Sequence, residues 1–304
     1  MATKLQAAAQ AAREKAAAAK SGAAGDGAAK ATAAEPEVEK AARKTDVALK
    51  KGGALVQGEI NFEEDAGAGL EGADKDSFAI PFLAVLQGLS PQLKTVEGAK
   101  PGKIINTVTN ELFDTIRFVP VAFERRYNRW LPRESGGGFK GTMKVAEVEA
   151  LIASGQASFV KTDKGEVLMY EDTQLKDTRN HFVLVVDDEG SWSPALLSLA
   201  STQIKRSKRL MALIQGVVET APNGRKFNPA SFARIYVAGS ESEKNAKGEW
   251  ESFVFELEGP VADAQLYAAA KKFHSEVSSG SVVVAQPPSG MDEEHDGAPA
   301  AGKF

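Results

Sequence analysis

The pattern of hydrophobic and polar residues divides the chain into three parts. Residues 1–50 contain 20 alanines and almost no large apolar side chains, so this segment cannot bury enough surface to offset the entropy lost on ordering. Residues 52–73 are acidic and rich in glycine, and from Phe78 to Leu86 a dense apolar cluster follows. We therefore predict a disordered Ala-rich tail and acidic linker over residues 1–75, and one folded domain that begins at residue 76.

From residue 103 onward, short runs of β-branched and aromatic residues alternate with turn signals, which is typical of β-strands. The predicted strands cover residues 103–108, 115–123, 166–170, 181–186, 233–237 and 249–257. Three segments instead show helical spacing of apolar residues, at residues 145–154, 201–218 and 262–277. The pattern predicts a mainly β domain with a few packing helices, of the α+β class, over residues 76–286. A second disordered tail, residues 287–304, follows it.

Composition and charge narrow the function classes. The chain has no cysteine, which excludes thiolate metal sites and thiol nucleophiles, and its longest apolar runs are far shorter than a transmembrane helix requires. The N-terminus also lacks the apolar stretch of a signal peptide, so we expect a cytoplasmic protein without membrane contact.

The sequence contains no strong catalytic motif. The three histidines are scattered along the chain, which argues against a zinc site or a triad. Lys140 of the Gly-rich loop is followed by Gly141 rather than Ser or Thr, so the loop is not a nucleotide-binding P-loop. The pairs Glu171–Asp172 and Asp187–Asp188 lie in turns. We predict no catalytic residue, no metal and no cofactor, and expect a binding protein rather than an enzyme.

The most informative segment is a cluster of cations and rings between residues 125 and 144. Cations that follow the phosphates and aromatic faces that stack on bases are how proteins hold single-stranded nucleic acid. The candidate binding residues here are Arg125, Arg126, Tyr127, Arg129, Trp130, Arg133, Phe139, Lys140 and Lys144. In this hypothesis they share one open surface, and the Gly-rich loop at residues 135–141 closes over the strand. The alternative interpretation is a solvated strand edge with Trp130 as a core residue.

The predicted helix at residues 201–218 is basic at its N-terminal end, where free amides and cations can both attract phosphate. These cations extend the candidate interface: Lys205, Arg206, Lys208 and Arg209. The alternative is ordinary solvation of an amphipathic helix.

From residue 80 onward, the order of features resembles a group of bacteriophage proteins of single-stranded DNA-binding or unknown function. The resembling stretches are Ile80–Pro81–Phe82, Gln87–Gly88–Leu89–Ser90–Pro91, Pro101–Gly102–Lys103–Ile104, Phe118–Val119–Pro120–Val121, Arg126–Tyr127–Asn128–Arg129–Trp130, Ser201–Thr202–Gln203–Ile204–Lys205 and Asn245–Ala246–Lys247–Gly248–Glu249–Trp250. The resemblance implies an OB-like β-barrel core and a protein that coats single-stranded DNA during phage DNA replication or recombination, in the cytoplasm of an infected bacterial host.

Replicative phage single-strand binders are similar in plan, with an acidic tail that ends in an aromatic residue. An acidic tail can dock on replication proteins or compete with DNA for a basic groove. The corresponding residues here are Asp292, Glu293, Glu294, Asp296 and Phe304. In this chain the acidic cluster lies well before Phe304, and a solubilising role is the alternative.

Two other function classes stay open. A phage structural or virion-associated protein would assemble with itself or with other subunits, and self-association is compatible with either class. A nuclease would use one of the carboxylate pairs with magnesium.

Overall fold

The computed structural model describes residues 64–65, 68–73, 80–162, 165–246 and 248–282, apart from the side chain of Arg133. The chain divides into two compact units, residues 1–74 and 75–304. In the first unit, the described residues 64–65 and 68–73 are exposed and form only turns and irregular backbone. Both predicted tails fall largely or wholly outside the described residues.

The described residues form thirteen strands and four α-helices, which confirms the mainly β class. The strands are Leu83–Val85 (β1), Ile104–Asn106 (β2), Leu112–Phe113 (β3), Ile116–Trp130 (β4), Phe139–Lys144 (β5), Ala157–Thr162 (β6), Gly165–Tyr170 (β7), Thr173–Val186 (β8), Trp192–Ala200 (β9), Glu219–Thr220 (β10), Lys226–Phe227 (β11), Arg234–Asn245 (β12) and Gly248–Pro260 (β13). The helices are Gln92–Thr95 (α1), Val145–Ala153 (α2), Ile204–Gln215 (α3) and Ala264–Ser278 (α4). No helix of the described residues is both long and apolar enough to span a membrane.

An eight-stranded antiparallel sheet is built around the long strands β4 and β8. They pair from Arg117↔Val186 to Trp130↔Gln174. The strand order is β13-β12-β4-β8-β7-β6, with β5 added to β4 and β9 added to β8. Because β12 pairs with the beginning of β4 and β5 with its end, the two ends of the sheet have different neighbours.

The sheet differs from the OB-like barrel that the phage resemblance implied. The terminal strands of the pairing order, β13 and β6, do not pair with one another in the described part of the chain, so the sheet stays open. The reason is the length of β4 and β8. Along one edge, β4 pairs first with β12 and then with β5, and β8 pairs first with β7 and then with β9. In a small barrel, the first and last strands would instead pair with one another.

Side-chain alternation along β4 and β8 produces two opposite faces with separate cores. Face A carries Phe118 and Val183, which pack with Leu210 of α3 and with Tyr236 of β12. Face B carries Val119, Phe182 and Leu184, which pack against α4 through Leu266 and Phe273. Both cores lie at the end of the sheet where β4 pairs with β12.

At the other end of the sheet, only face A has a hydrophobic cluster. There α2 contributes Val148, which packs with Ala157, Leu168 and Leu175. The residues of β4 beyond Ala122 and of β5 that join these clusters, Tyr127 and Met143, lie on face A. In the described part of the chain, no face B side chain of β4 beyond Ala122 or of β5 belongs to a hydrophobic cluster. This end of face B, where β4 pairs with β5, is called the distal face B.

Candidate nucleic-acid interface

The pleat of β4 separates the basic residues that the sequence predicted to share one surface. Successive side chains point to opposite faces of a strand, so Arg125, Tyr127 and Arg129 lie on face A. Arg126 and Trp130 lie on face B. The prediction of a single surface formed by all of them is therefore wrong, because a sequence cluster becomes two surfaces when it forms a strand.

On face A the arginines have acidic partners. Arg125 donates to both carboxylate oxygens of Asp177, at 2.9 and 2.8 Å, and this hydrogen bonding raises the pKa of Arg125 against the opposing effect of burial. Arg129 donates to Glu171 at 2.9 Å, and its guanidinium lies 5.1 Å from the centre of the Tyr170 ring. These charges are neutralised within the protein.

The Tyr127 ring is part of the small core beneath α2. The Arg125 guanidinium lies 5.6 Å from its centre, and burial raises the pKa of the Tyr127 hydroxyl. On face A, therefore, the aromatic ring predicted to stack on a base packs against the protein itself.

The distal face B brings the remaining candidates together in rows across the strands. The backbone register pairs Arg126 with Lys144 and Thr178, and Trp130 with Phe139 and Gln174. Residues opposite one another on antiparallel strands share a face, so these two candidate cations and the two rings stand on the same side as Lys176.

The two rings of the distal face B differ in exposure. The centres of the Trp130 and Phe139 rings lie 5.3 Å apart with an interplanar angle of 61°, an edge-to-face contact. Trp130 is only 8% exposed, whereas Phe139 is half-buried. Phe139 is thus the ring that a base could reach, and Trp130 supports it from below.

The charges of this face are less neutralised than those of face A. Arg126 forms an ion pair with Glu124 at 3.1 Å. The Lys144 side chain is exposed and has no ion pair with any described residue, while its backbone N–H donates to Glu147 at 2.7 Å and begins α2. Lys140 is also exposed, but it follows Phe139 at the register shift between β4 and β5 and so lies beside the distal face B rather than in its rows.

The Gly-rich loop that joins β4 to β5 depends on glycine for its conformation. Gly136 and Gly138 of the loop, and Gly141 within β5, have φ values of +100°, +109° and +107°, a region that side-chain-bearing residues rarely adopt. A Cβ atom added at any of them would have no neighbour within 4 Å, so the requirement is conformational rather than steric. The loop reverses the chain and sets Phe139 beside Trp130. Arg133 belongs to the short 3₁₀ helix Arg133–Ser135 that precedes these glycines.

The cations at the N-terminal end of α3 are paired with carboxylates of the protein itself. Arg206 is 9% exposed, donates to Glu243 at 3.1 Å and also forms an ion pair with Glu241. Burial opposes ionisation of Glu243, but hydrogen bonds from Lys205, Ser252 and Arg206 outweigh it and lower its pKa to about 2. Lys208 and Arg209 are exposed. Because α3 packs on face A, these residues do not line one groove with Arg126.

Sequence reasoning missed two glutamines that cover the free edge of β13. The Gln87 amide accepts from the backbone N–H of Glu251 and donates to its carbonyl, each at 2.9 Å. Gln203 accepts from the N–H of Phe253 at 3.1 Å and donates to the Glu251 carbonyl at 3.0 Å. The only signal in the sequence was that both belong to stretches quoted above for the phage resemblance.

The histidine and carboxylate candidates for catalysis have structural surroundings. His181 is buried, its Nε2 lies 2.8 Å from Ser207 Oγ, and burial lowers its pKa to about 3. The carboxylate of Asp187 accepts from two backbone N–H groups of its own turn, at 2.9 and 2.8 Å. Among the described residues, no group of three or more His, Asp or Glu side chains is placed to hold a metal ion.

The predicted partner-binding residues of the acidic tail lie outside the described residues. They are Asp292, Glu293, Glu294, Asp296 and Phe304.

Comparison with known proteins identifies a phage protein family. No curated protein and no solved structure matches the chain. The model of the family described as Pam3 phage gp34-like protein matches residues 50–283, a stretch that contains the whole sheet and all four helices. It supports the broader part of the resemblance, the phage origin. The chain belongs to the Pam3 phage gp34-like protein family.

Proposed function

We propose that this phage protein binds single-stranded DNA on the distal face B and coats the strand during replication or recombination. The observation that carries the proposal is the placement of Arg126 and Lys144 beside Phe139 and Trp130 on one face. That part of the face belongs to no hydrophobic cluster of the described residues. The open antiparallel sheet takes the place that a closed OB barrel has in other single-strand binders.

The proposed contacts are of two kinds, electrostatic contacts with phosphates and stacking on a base. Lys144, Lys140 and Arg126 neutralise phosphates, which releases condensed counterions and makes the affinity fall with salt. One base stacks on Phe139, whose ring is held by its edge-to-face contact with Trp130, and such stacking contributes about 1–3 kcal/mol per base. No reaction follows from binding, so the protein acts in stoichiometric amounts in the host cytoplasm.

The other predicted site residues have different roles in this proposal. Arg125, Tyr127, Arg129, Lys205 and Arg206 stabilise the fold through the ion pairs and packing described above. Lys208 and Arg209, on the exposed side of α3, attract DNA only through long-range charge. The acidic tail docks on replication proteins, an expectation that rests on its charge.

A binding titration with a matched pair of variants tests the proposal. Phe139→Leu keeps apolar contact with Trp130 but removes the stacking face, and Phe227→Leu makes the same change at a partly exposed ring of β11. We expect fluorescence anisotropy of labelled oligo-dT at low salt to show at least roughly fivefold weaker binding for Phe139→Leu, given that stacking energy. Phe227→Leu should bind like the wild type. The proposal fails if the wild type does not bind, or if the two variants bind equally well.

A second candidate function, a virion-associated assembly protein, is favoured by a different observation. Strand β6 ends the sheet with exposed apolar side chains, and Phe159 and Val160 are 62% and 44% exposed. Such an edge can join subunits. Sedimentation with and without oligo-dT separates the two functions, because a strand-coating protein sediments together with the added DNA, whereas an assembly protein sediments in the same way whether or not DNA is present.

A further inference from the structure

Strand β6 is a free sheet edge without the features that usually block one. Its register with β7 is regular over six pairs, from Ala157↔Tyr170 to Thr162↔Gly165, and among the described residues it pairs with no other strand. Five consecutive residues, 158–162, are exposed. Lys161 is the single charge of the strand, and there is no proline or bulge. Such an edge presents unpaired backbone groups that can pair with another strand.

The other free edges of the sheet carry blocking features. On β9, these are Pro194 and the bridge between Leu196 and Phe82. On β13, the side chains of Gln87 and Gln203 satisfy the backbone groups of Glu251 and Phe253. On β5, two exposed lysines and a register shift interrupt the edge. Edge lysines and bulges are how natural sheets avoid unwanted pairing, so the contrast singles out β6.

We propose that β6 pairs antiparallel with β6 of a second copy of this chain, around a twofold axis at Val160. The five exposed residues are centred on Val160, so this register covers all of them in both copies. It sets Val160 opposite its own counterpart, Phe159 opposite Lys161, and Ser158 opposite Thr162.

Each facing pair in this register is favourable. Two valines pack against one another, Phe159 receives the stem and ammonium of Lys161, and the hydroxyls of Ser158 and Thr162 hydrogen-bond. The two copies of Lys161 are never directly opposite one another, which avoids the penalty of like charges in facing positions. A second copy therefore fits the edge in charge as well as in shape.

The pairing would extend the sheet across both copies. The twofold axis of an antiparallel strand pair in one sheet is perpendicular to that sheet, so the same face of both copies lies on the same side. The two distal B faces would then form one continuous surface, a consequence that rests on the proposed function. The pairing itself does not depend on DNA.

Reversed charges at position 160 test the register directly. Val160→Lys and Val160→Glu each place two like charges opposite one another, and we expect each variant alone to sediment as a monomer where the wild-type chain is a dimer. An equimolar mixture of the two should restore the dimer, since lysine then faces glutamate. Leu89→Lys, at an apolar residue that is 76% exposed outside β6, should leave the dimer intact.

Three results would overturn the proposal: a wild-type chain that sediments as a monomer at every concentration, a dimer that survives Val160→Lys, or a mixture that stays monomeric. Circular dichroism of each variant confirms that the fold is kept. The measurements contain no DNA, so their failure is distinct from failure of the oligo-dT titration.

Discussion

At the scale of single residues, neighbours in the sequence have different surroundings. Arg125 and Arg126 are adjacent, yet Arg125 is held by Asp177 on face A, and Arg126 by Glu124 on face B. Asp177 also lies 3.8 Å from Arg179, so face A contains a small network, whereas the ion pair of Arg126 joins two residues of one strand. An ion pair between partly exposed groups contributes little stability. Phosphate can therefore compete for Arg126 at small cost.

The buried His181 predicts a specific dependence of stability on pH. Burial lowers its pKa to about 3, and the charge of Arg179 acts in the same direction, whereas an unfolded histidine titrates near 6.5. Below about pH 6.5, the imidazole of His181 therefore binds a proton in the unfolded state but not in the folded state. The free energy of unfolding should fall by up to about 1.4 kcal/mol per pH unit as the pH decreases from about 6.5 towards 3.

Urea denaturation between pH 7.5 and 5, above the range where carboxylates titrate, measures this slope. We expect His181→Gln to reduce the slope, although the variant is less stable at neutral pH. Ser207→Ala removes the hydroxyl that lies 2.8 Å from the ring but keeps the histidine, so it should lower stability at every pH and retain the slope. Equal slopes in wild type and His181→Gln would contradict the assignment.

At the scale of elements, the local spacing of apolar residues was sufficient to predict where the helices lie, but it could not predict which strands pair. The spacing of apolar residues predicted helices at residues 145–154 and 262–277, and the structure has them at Val145–Ala153 and Ala264–Ser278. The basic segment at residues 125–144 was also recognised. Its division between two faces could have been inferred from the two-residue period of a strand, once the strand was known to continue to Trp130.

The partners of the basic residues could not be predicted, because they are distant in the sequence. Asp177 lies 52 residues from Arg125, and Glu243 lies 37 residues from Arg206. Only the pairing of β4 with β8, and of α3 with the β12–β13 hairpin, brings them together. Charge clusters in a sequence therefore overstate the charge that remains available for a ligand.

The glutamine contacts at the edge of β13 predict a stabilising role for two polar side chains. Gln203→Ala removes the acceptor for the N–H of Phe253, and Phe253 is only 3% exposed. A buried donor without a partner costs about 1–3 kcal/mol. We expect urea denaturation to show a loss of that size for Gln203→Ala. Gln265→Ala, at an exposed position of α4, should change the free energy of unfolding by less than about 0.5 kcal/mol, and equal effects would contradict the role.

At the scale of the whole molecule, coverage of the sheet and distribution of charge are both uneven. Helices cover face A at both ends of the sheet, whereas α4 covers face B at one end only in the described part of the chain. The net charge of the sequence is −4, with −2 in residues 1–77, +1 in residues 78–288 and −3 in residues 289–304. A nearly neutral domain cannot attract DNA through its total charge, so binding requires a local arrangement of cations such as that of the distal face B.

This local arrangement predicts how the affinity responds to salt. Each cation that neutralises a phosphate of single-stranded DNA contributes about 0.7 to the slope of log affinity against log salt concentration. Lys144→Gln removes one such cation and keeps the backbone N–H that begins α2, whereas Lys226→Gln removes an exposed lysine from β11, which is not part of the main sheet. We expect oligo-dT titrations at several salt concentrations to give a slope that is smaller by about 0.7 for Lys144→Gln and unchanged for Lys226→Gln. Because both variants lower the net charge by the same amount, equal slopes would mean that DNA responds to the total charge of the protein, and would place the interface somewhere other than the distal face B.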